Sequence, residues 1–432
     1  MPCLALLTCV GVLSAAAPAA STQEPPSRPV VDSPELARLG RYEVGVRTLT
    51  LLEHDAVDVI APGKDRPVVV DLWYPATVPA GSRPELYSAS LQSEPPAPPV
   101  SFTVPGLAVR NAPAQAGRFP LVVVSHGRSN PTIALSWLTE NLASKGYVVA
   151  AIRHEDLART NPAEIPEMLL RRPLDLAFVT RALQASLDHE GLVDPTRTAL
   201  IGYSMGGYGV LTVAGAGLDP QSAACTLIPG GLLTPYATGG GQQNLIRVQN
   251  LKAVIAIAPA GGSVAAWGST GLAGISAPLF LIAGDHDRTV DYASGARGML
   301  EATTGTRRYL LTYKGAGHAL GLDPAPAEMR HGLWDISWFE DPVWRKDRII
   351  GINLHMITAF LDRFVKGDES RAAYLDGLVP DSSAGRWQAP PGTAYDAFSP
   401  GTPGATLWKG FQRDYAEALE LLQRPPNPPA NP

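Results

Sequence analysis

Short apolar runs alternate with helix-length amphipathic stretches along most of the chain. Residues 119–125 (FPLVVVS) are almost entirely apolar, as expected for a strand that is covered on both faces of a sheet. Residues 132–144 carry leucines three or four positions apart and are followed by Gly146, which is typical of an amphipathic helix and its end. The same alternation predicts further strands at 67–74, 147–152, 198–203, 254–258, 278–283 and 308–313, and further helices at 173–187, 206–216, 292–302 and 347–365. We therefore expect an α/β fold in which a mostly parallel central sheet carries helices on both faces.

The composition excludes two broad classes of protein. The 432 residues are 45% hydrophobic and include 35 basic and 40 acidic side chains, so the net charge is −5 at pH 7. A nucleic-acid-binding protein normally presents a basic surface, which this balance does not supply. A chain with so many apolar residues buries a large core and is not disordered throughout. We assign the main domain to residues 41–365.

The first residues predict export. Residues 4–20 form an uncharged run rich in alanine and leucine, which is short for a spanning helix and ends in small residues suited to signal cleavage. We interpret residues 1–20 as the signal peptide of a secreted or periplasmic protein, with no transmembrane segment in the mature chain, and residues 21–40 as a linker. No lysine or arginine precedes the apolar run, so the alternatives are a weak signal or a different start. In the mature chain Cys225 would stand alone, and we expect it to be a small buried hydrophobe rather than a nucleophile.

Irregular segments interrupt the alternation. Residues 81–118 form a Pro-rich excursion, residues 222–250 form a Gly-rich insertion that is either a lid or a disordered surface loop, and residues 331–345 are rich in tryptophan. Residues 366–432 extend past the main domain and end in a Pro-rich tail that we expect to be extended or disordered. Within this extension, residues 416–422 suggest a short helix.

A serine nucleophile is predicted at the end of the strand 198–203. Residues 202–206 read G-Y-S-M-G, and a helix is predicted directly after them. In this strand–turn–helix context the serine of G-x-S-x-G occupies a sharp, strained turn, and the glycines avoid collisions with the neighbouring strand and helix. Ser204 would then lie at the N-terminus of a helix, where the helix dipole favours a developing negative charge.

The acid and the base are predicted on two later strand ends. Hydrolases with this nucleophile turn supply a carboxylate and then a histidine further along the chain. Asp287 follows the strand 278–283, and His318 follows the strand 308–313 on a Gly-rich loop. Asp285 lies in the same loop as Asp287 and is the second candidate for the acid.

An oxyanion hole is predicted from two backbone N–H groups. One is expected on the loop after the strand 119–125, at Arg128, and the other directly after the nucleophile, at Met205. His126 on the same loop is expected to shape the loop rather than to act as an acid or base. No metal or other cofactor is expected, because the chain contains neither an H-E-x-x-H motif nor paired cysteine and histidine clusters.

Separated segments of the main domain together resemble the platelet-activating-factor acetylhydrolase-like branch of the α/β-hydrolases, often described as predicted dienelactone hydrolases. The segments are 71–75 (DLWYP), 120–127 (PLVVVSHG), 146–156 (GYVVAAIRHED), 204–217 (SMGGYGVLTVAGAG), 284–287 (GDHD) and 317–318 (GH). The combination is specific for this branch and only weakly specific for a substrate.

The resemblance implies an α/β-hydrolase fold with a triad of Ser204, Asp287 and His318. It also implies Arg128 and Met205 as oxyanion donors. Arg128 stands where relatives usually have a small or apolar residue, so the backbone donor is retained but a charge is added. Ser204 stands where true dienelactone hydrolases have a cysteine, so the dienelactone name does not assign a substrate.

These features predict a secreted serine carboxylic-ester hydrolase that works through an acyl-enzyme on a short-chain or lipid-like ester. Trp334, Trp338 and Trp344 are expected either to wall the substrate pocket or to anchor their segment to the core. Two other functions use the same parts. One is an acyltransferase in which an alcohol replaces water, and the other is a non-catalytic binding protein, against which the complete set of nucleophile, acid and base argues.

Overall fold

One twisted sheet organises the computed structural model, which describes residues 34–386, 392, 406–411 and 416–427. The predicted signal peptide at 1–20 and most of the linker lie outside the described residues. The strands are β1 Glu43–Ala56, β2 Lys64–Ala76, β3 Leu86–Leu91, β4 Val100–Pro105, β5 Val109–Arg110, β6 Phe119–Ser125, β7 Val148–Arg153, β8 Val193–Tyr203, β9 Leu251–Ile257, β10 Leu279–Gly284, β11 Arg308–Tyr313 and β12 Leu419–Arg424. The helices are α1 Ser136–Ser144, α2 Glu164–His189, α3 Met205–Val213, α4 Ala223–Thr226, α5 Gly298–Ala302, α6 Leu333–Ser337 and α7 Lys346–Phe364.

The sheet is parallel at its centre and becomes antiparallel on either side of it, and the short edge strand β5 pairs parallel with β1. In the described residues its order is β12-β11-β10-β9-β8-β6-β7-β2-β1-β5. All neighbouring pairs from β11 through to β7 are parallel, whereas β12 pairs antiparallel with β11 and β2 pairs antiparallel with both β7 and β1. Apolar side chains pack on both faces, with α1 and α7 on one face and α2, α3 and α5 on the other. The expected α/β fold is therefore confirmed, and the strand ends that carry the candidate residues lie along one edge.

Helix α2 begins earlier than the sequence pattern predicts. The sequence pattern predicts a helix over 173–187. The structure starts α2 at Glu164 and keeps Pro173 inside it. A proline has no N–H to donate to the carbonyl four residues before it, here that of Leu169. The Tyr208 hydroxyl donates to that carbonyl instead, at 3.1 Å, which satisfies the acceptor within the buried face.

The sheet continues beyond residue 365, where we ended the main domain. The expected helix at 416–422 is wrong, because Leu419–Arg424 forms the edge strand β12, paired with the whole length of β11. Leu419 and Leu421 alternate with Glu420 along β12, and both leucines join the core. A long-range pairing partner decides the structure of this short segment, which local helix propensity alone does not specify.

The insertions are ordered parts of the fold. Residues 81–118 contain the small β3–β4 sheet, and the Phe102 ring on β4 meets Phe339 edge-on at 6.0 Å between centroids. Residues 222–250 contain short helical turns whose apolar side chains join the core on the α2 and α3 face. Cys225 in this segment is buried, as predicted. Within the described ranges, no helix combines the length and apolarity needed to cross a bilayer.

His355 on α7 contacts two segments that flank the main domain, one near residue 36 and the other near residue 409. The Leu36 N–H donates to His355 Nδ1 at 3.2 Å, and His355 Nε2 lies 3.2 Å from the Lys409 carbonyl oxygen. Burial lowers the pKa of His355 to about 3, and the charges of Lys145 and Arg371 reinforce this effect against the hydrogen bond to Lys409. The neutral ring is therefore the form that the native state accommodates.

This burial predicts a specific loss of stability in acid. Below about pH 6.5 the unfolded chain binds a proton at His355, whereas the native chain does so only near pH 3. The native state should therefore lose about 1.4 kcal/mol of unfolding free energy per pH unit at this residue between those values. Denaturant titrations of the wild type and His355→Phe from pH 7 to pH 4 test this. The unfolding free energy of the wild type should fall more steeply with decreasing pH than that of His355→Phe, which has no group to titrate at this position. Parallel curves would contradict the assignment.

Candidate active site

Ser204 lies on a strained turn between β8 and α3. Its backbone adopts φ 52° and ψ −114°, a conformation that L-residues rarely take. Glycines on both sides allow the turn: a Cβ on Gly202 would lie 2.2 Å from the Gly206 carbonyl oxygen, and one on Gly206 would lie 2.0 Å from the Ser125 carbonyl oxygen. The turn thus has the nucleophile-elbow geometry that the motif predicts.

The structure brings Ser204, His318 and Asp287 into one hydrogen-bonded line. Ser204 Oγ lies 3.0 Å from His318 Nε2, and His318 Nδ1 lies 2.7 Å from Asp287 Oδ2. These residues follow β8, β11 and β10 respectively, so the parallel sheet brings them together from distant parts of the chain. A hydroxyl, an imidazole and a carboxylate in this order form the arrangement used for nucleophilic catalysis.

Asp287 is held as a carboxylate. Its Oδ1 accepts the backbone N–H groups of Thr289 at 2.8 Å and Val290 at 3.2 Å, while Oδ2 faces His318. Burial alone raises the pKa of Asp287, but the hydrogen bond and charge of His318 and the two backbone donors outweigh it, so the pKa lies below its usual value. A charged Asp287 can fix the orientation of the His318 ring.

Asp285, the other candidate acid, supports the loop instead of contacting His318. Its Oδ1 accepts the Gly315 N–H at 2.6 Å and lies 2.7 Å from His286 Nδ1. Gly315 begins the loop that carries His318, so Asp285 ties the acid loop to the base loop. Geometry therefore separates two aspartates that the sequence places only two residues apart.

Two residues that the sequence analysis missed position the His318 loop. The Tyr203 ring stacks on the His318 ring with 5.3 Å between centroids, and the Tyr203 hydroxyl donates to the His318 carbonyl at 3.1 Å. Asp341 accepts the Gly317 N–H at 2.7 Å. Tyr203 occupies the variable position before the serine in the motif, which gives it no signal by itself, and Asp341 lies in an insertion.

The loop after β6 lies directly against Ser204. A Cβ on Gly127 would come within 3.2 Å of the Ser204 Cβ, and both Arg128 and Met205 border the same cavity as Ser204. Met205 is the first residue of α3, and such an N–H has no acceptor within its own helix. The Arg128 side chain turns to Glu164, with 2.6 Å from Nε to Oε1.

A second serine–histidine–aspartate set lies beneath this loop. Ser125 Oγ is 2.8 Å from His154 Nε2, and His154 Nδ1 is 2.8 Å from Asp175 Oδ2. All three residues are buried, and none borders the cavity. Burial and the charge of Arg172 lower the pKa of His154 to about 3, so the ring stays neutral. Without access to a substrate, this set is a structural support.

The same buried network holds the loop that carries Arg128. Arg172 donates to Asp156 at 2.6 Å and to the Gly127 carbonyl at 3.3 Å, and Asp156 also accepts the Ser129 N–H at 2.7 Å. His126 Nδ1 lies 2.7 Å from the Gly127 carbonyl oxygen, which agrees with the expected loop-shaping role. The loop therefore rests on charged and hydrogen-bonded partners rather than on apolar packing alone.

A cavity of about 460 Å³ opens at Ser204 and His318. Trp334 and Trp338 line it, with their rings edge-on at 5.4 Å between centroids. The expectation that Trp344 walls the pocket is wrong. Trp344 packs edge-on against Tyr313 at 4.9 Å and donates to a backbone carbonyl, so it anchors its segment to the core.

The two insertions differ in their relation to the cavity. Residues 331–345 supply one of its walls, whereas none of its lining residues comes from 222–250. A hydrogen bond joins this wall to the excursion at 81–118, because the Ser93 hydroxyl donates to the Asp335 carboxylate at 2.6 Å. In the described segments, no three His, Cys, Asp or Glu side chains are grouped so that they could hold a metal ion.

Part of the chain is similar to known ester hydrolases. Residues 108–229 match the PET hydrolase-like family model, described as PETase. Two cutinases of Thermobifida alba, est1 and est2, are each 31% identical over 124 residues, which is 29% of this chain. The chain spans 38% and 37% of the lengths of these two curated relatives. Residues 108–229, which match the family model, include β6, α2, β8, α3 and Ser204.

A solved structure extends the likeness to most of the fold. A ferulic acid esterase from Streptomyces cinnamoneus superposes with a TM-score of 0.52 at 22% identity, over 78% of this chain and 94% of that chain. The narrower likeness to the platelet-activating-factor acetylhydrolase-like branch is not confirmed by these comparisons. Together with the parallel sheet and the turn at Ser204, they show that the chain has an α/β-hydrolase fold with a PET hydrolase-like segment.

The buried Asp175 should be far more important for stability than a comparable surface aspartate. Asp175 is fully buried and accepts Arg66 at 3.0 and 3.1 Å besides contacting Arg171 and His154. Asp175→Asn removes the buried charge that Arg66 and Arg171 share, so that Glu53, which is partly exposed, remains as their acidic partner. It should lower the unfolding free energy by about 3–5 kcal/mol. Denaturant unfolding of the purified variant measures this loss.

Asp194→Asn is the matched control. Asp194 pairs with Arg197 at 2.8 Å, where both side chains are about a third exposed. Its replacement should cost about 0–1 kcal/mol, because solvent screens a surface pair. Equal losses in the two variants would show that the buried network does not support the fold as described.

Proposed function

We propose that the protein is a serine carboxylic-ester hydrolase that works through an acyl-enzyme. The observation that carries this proposal is the continuous line from Ser204 Oγ to His318 Nε2 at 3.0 Å and from His318 Nδ1 to Asp287 at 2.7 Å. The line opens on a cavity, whereas the similar buried set at Ser125 does not. The cutinases and the ferulic acid esterase among the similar proteins support the same reaction class.

The first half of the proposed reaction forms the acyl-enzyme. His318 Nε2 takes the Ser204 hydroxyl proton while Oγ attacks the ester carbonyl carbon. The Arg128 and Met205 N–H groups donate to the carbonyl oxygen as it becomes negatively charged. Asp287 accepts from His318 Nδ1 and stabilises the imidazolium. The intermediate then breaks its bond to the alcohol oxygen, which leaves with the proton from His318.

The second half releases the acid. Water enters the place left by the alcohol, and His318 takes its proton while the oxygen attacks the acyl carbon. The new intermediate collapses by breaking the bond to Ser204 Oγ, which recovers its proton from His318. The products are one alcohol and one carboxylic acid for each ester and water consumed.

The cavity supports an ester of modest size with an apolar or aromatic part. Its volume of about 460 Å³ is within the usual range for small-molecule sites, and two tryptophans present flat surfaces to it. A short-chain or lipid-like ester fits this proposal. The narrower membership in the platelet-activating-factor acetylhydrolase-like branch stays a prediction that rests on the sequence segments alone, as does export through residues 1–20.

The two other functions considered from the sequence use the same geometry. Acyl transfer needs an alcohol that outcompetes water in the second half-reaction, and no described contact selects for such an alcohol. A purely binding role requires neither the strained turn at Ser204 nor the alignment of His318 and Asp287 with it. Hydrolysis is therefore the function that we propose.

Removal of the Ser204 hydroxyl should abolish ester hydrolysis. We expect Ser204→Ala to lower kcat/KM for 4-nitrophenyl acetate by roughly 10⁴-fold or more, because no nucleophile remains. The melting temperature should change little, since the substitution removes one atom. Ser125→Ala is the matched control, because Ser125 also contacts a histidine in a triad-like set but has no access to the cavity. Loss of turnover in Ser125→Ala with retention in Ser204→Ala would reverse the assignment.

The two neighbouring aspartates should differ in their effect on rate. Asp287→Asn removes the charge that stabilises the His318 imidazolium, and we expect kcat to fall by roughly 10²–10⁴-fold. Asp285→Asn loosens a loop contact and should cost less than roughly tenfold. Steady-state kinetics of both purified variants on 4-nitrophenyl acetate test the difference. A larger loss in Asp285→Asn would move the acid to that position.

A further inference from the structure

The candidate substrate cavity has a cationic corner and no acidic lining. Arg128 and Arg159 both line it, and none of the lining residues is an aspartate or glutamate. Arg128 is neutralised by its side-chain pair with Glu164, which is itself buried. Arg159 is therefore the lining residue whose charge the cavity has to accommodate.

Arg159 is stacked on the aromatic wall rather than paired with a carboxylate. Its guanidinium carbon lies 4.2 Å from the centre of the Trp338 ring and 5.7 Å from that of Trp334. Its Nε atom is buried and has no hydrogen-bond partner in the described part of the chain. No ion pair joins Arg159 to a described carboxylate, and the two nearby acids, Asp156 and Glu164, each contact another arginine.

Arg159 therefore carries a positive charge that no described carboxylate neutralises. Burial, together with the charge of Arg128, lowers the pKa of Arg159 to about 10, which still leaves it cationic at neutral pH. A guanidinium offers several N–H donors in a planar fork that matches a carboxylate in geometry and charge. The contact with the Trp338 ring holds the guanidinium beside the cavity, so that less side-chain entropy is lost when an anion binds.

We propose that Arg159 is a specificity-determining residue that binds a free carboxylate on the ester substrate. The preferred substrates are then anionic esters with an apolar or aromatic body, such as monoesters of aromatic dicarboxylic acids. The body lies against Trp334 and Trp338, and the carboxylate accepts from Arg159 while the scissile carbonyl faces Ser204. This inference rests on the proposed hydrolase function and adds to it the charge of the substrate.

Pairs of esters of matched shape separate charge from size. One pair places the charge on the acyl side: 4-nitrophenyl 4-carboxybenzoate against 4-nitrophenyl 4-methylbenzoate. The other places it on the alcohol side: 4-carboxyphenyl acetate against 4-methylphenyl acetate. In both pairs a rigid para ring keeps the carboxylate from attacking its own ester. A pH-stat assay of kcat/KM gives the ratio of the anionic to the neutral ester for each pair.

The test compares the wild type with Arg159→Gln, Arg159→Lys and Arg83→Gln. The wild type should prefer the anionic ester in at least one pair, and Arg159→Gln should lower that ratio by roughly tenfold or more. Arg159→Lys should restore part of the ratio, because it restores the charge without the planar fork. Arg83 is exposed and outside the cavity lining, so Arg83→Gln makes the same change in net charge and should leave the ratio unaltered.

Raised ionic strength gives an independent test, since salt screens a partly exposed ion pair and should lower the wild-type ratio of anionic to neutral ester.

Failure of the proposed function and failure of this inference give different results. If the wild type hydrolyses none of the four esters, the proposed function is wrong. If it hydrolyses them with no preference for either anionic ester, or if Arg159→Gln keeps the preference with an unchanged melting temperature, Arg159 only stacks on Trp338 and the inference is overturned.

Discussion

The strained turn at residue 204 is the constraint on which the rest of the site depends. A positive φ at a non-glycine residue costs on the order of 1–3 kcal/mol, so surrounding contacts must hold it. Here β8 enters the turn from the centre of a buried parallel sheet, and α3 leaves it so closely that Gly202 and Gly206 tolerate no side chain. The Ser204 N–H also donates to the Ile257 carbonyl on β9 at 2.9 Å. The sheet thereby stabilises a conformation that presents one hydroxyl at its edge.

The partners of Ser204 are positioned by polar contacts that lie outside the reaction path. Asp285 and Asp341 each accept a backbone N–H of the loop that carries His318, and Tyr203 covers the imidazole from one face. On the opposite side, the buried His154 network supports the loop of Arg128. A misplacement of about 1 Å can cost a hundredfold in rate, so these supports are as important to the proposed chemistry as the reacting groups.

Much of this arrangement could be predicted from local sequence pattern. Continuous apolar runs identified the parallel strands, and G-Y-S-M-G with an aspartate and a histidine after later strands identified the residues that the structure brings together. The rest depends on long-range contacts. Leu419–Arg424 forms a strand instead of the expected helix because β11 offers a free edge, and Pro173 fits inside α2 because Tyr208 replaces the missing donor. Tryptophan spacing in 331–344 does not tell which rings reach the cavity, and only packing against Tyr313 removes Trp344 from it.

In the proposed reaction, Ser204 attacks an ester carbonyl while the Arg128 and Met205 amides hold the oxyanion. A phosphonate ester imitates the tetrahedral intermediate, so a crystal structure of the protein after reaction with one would show both interactions at once. We expect a covalent bond from Ser204 Oγ to phosphorus, with the phosphoryl oxygen about 2.7–3.1 Å from both amide nitrogens. An unmodified Ser204, or an adduct whose oxygen points away from both amides, would contradict it.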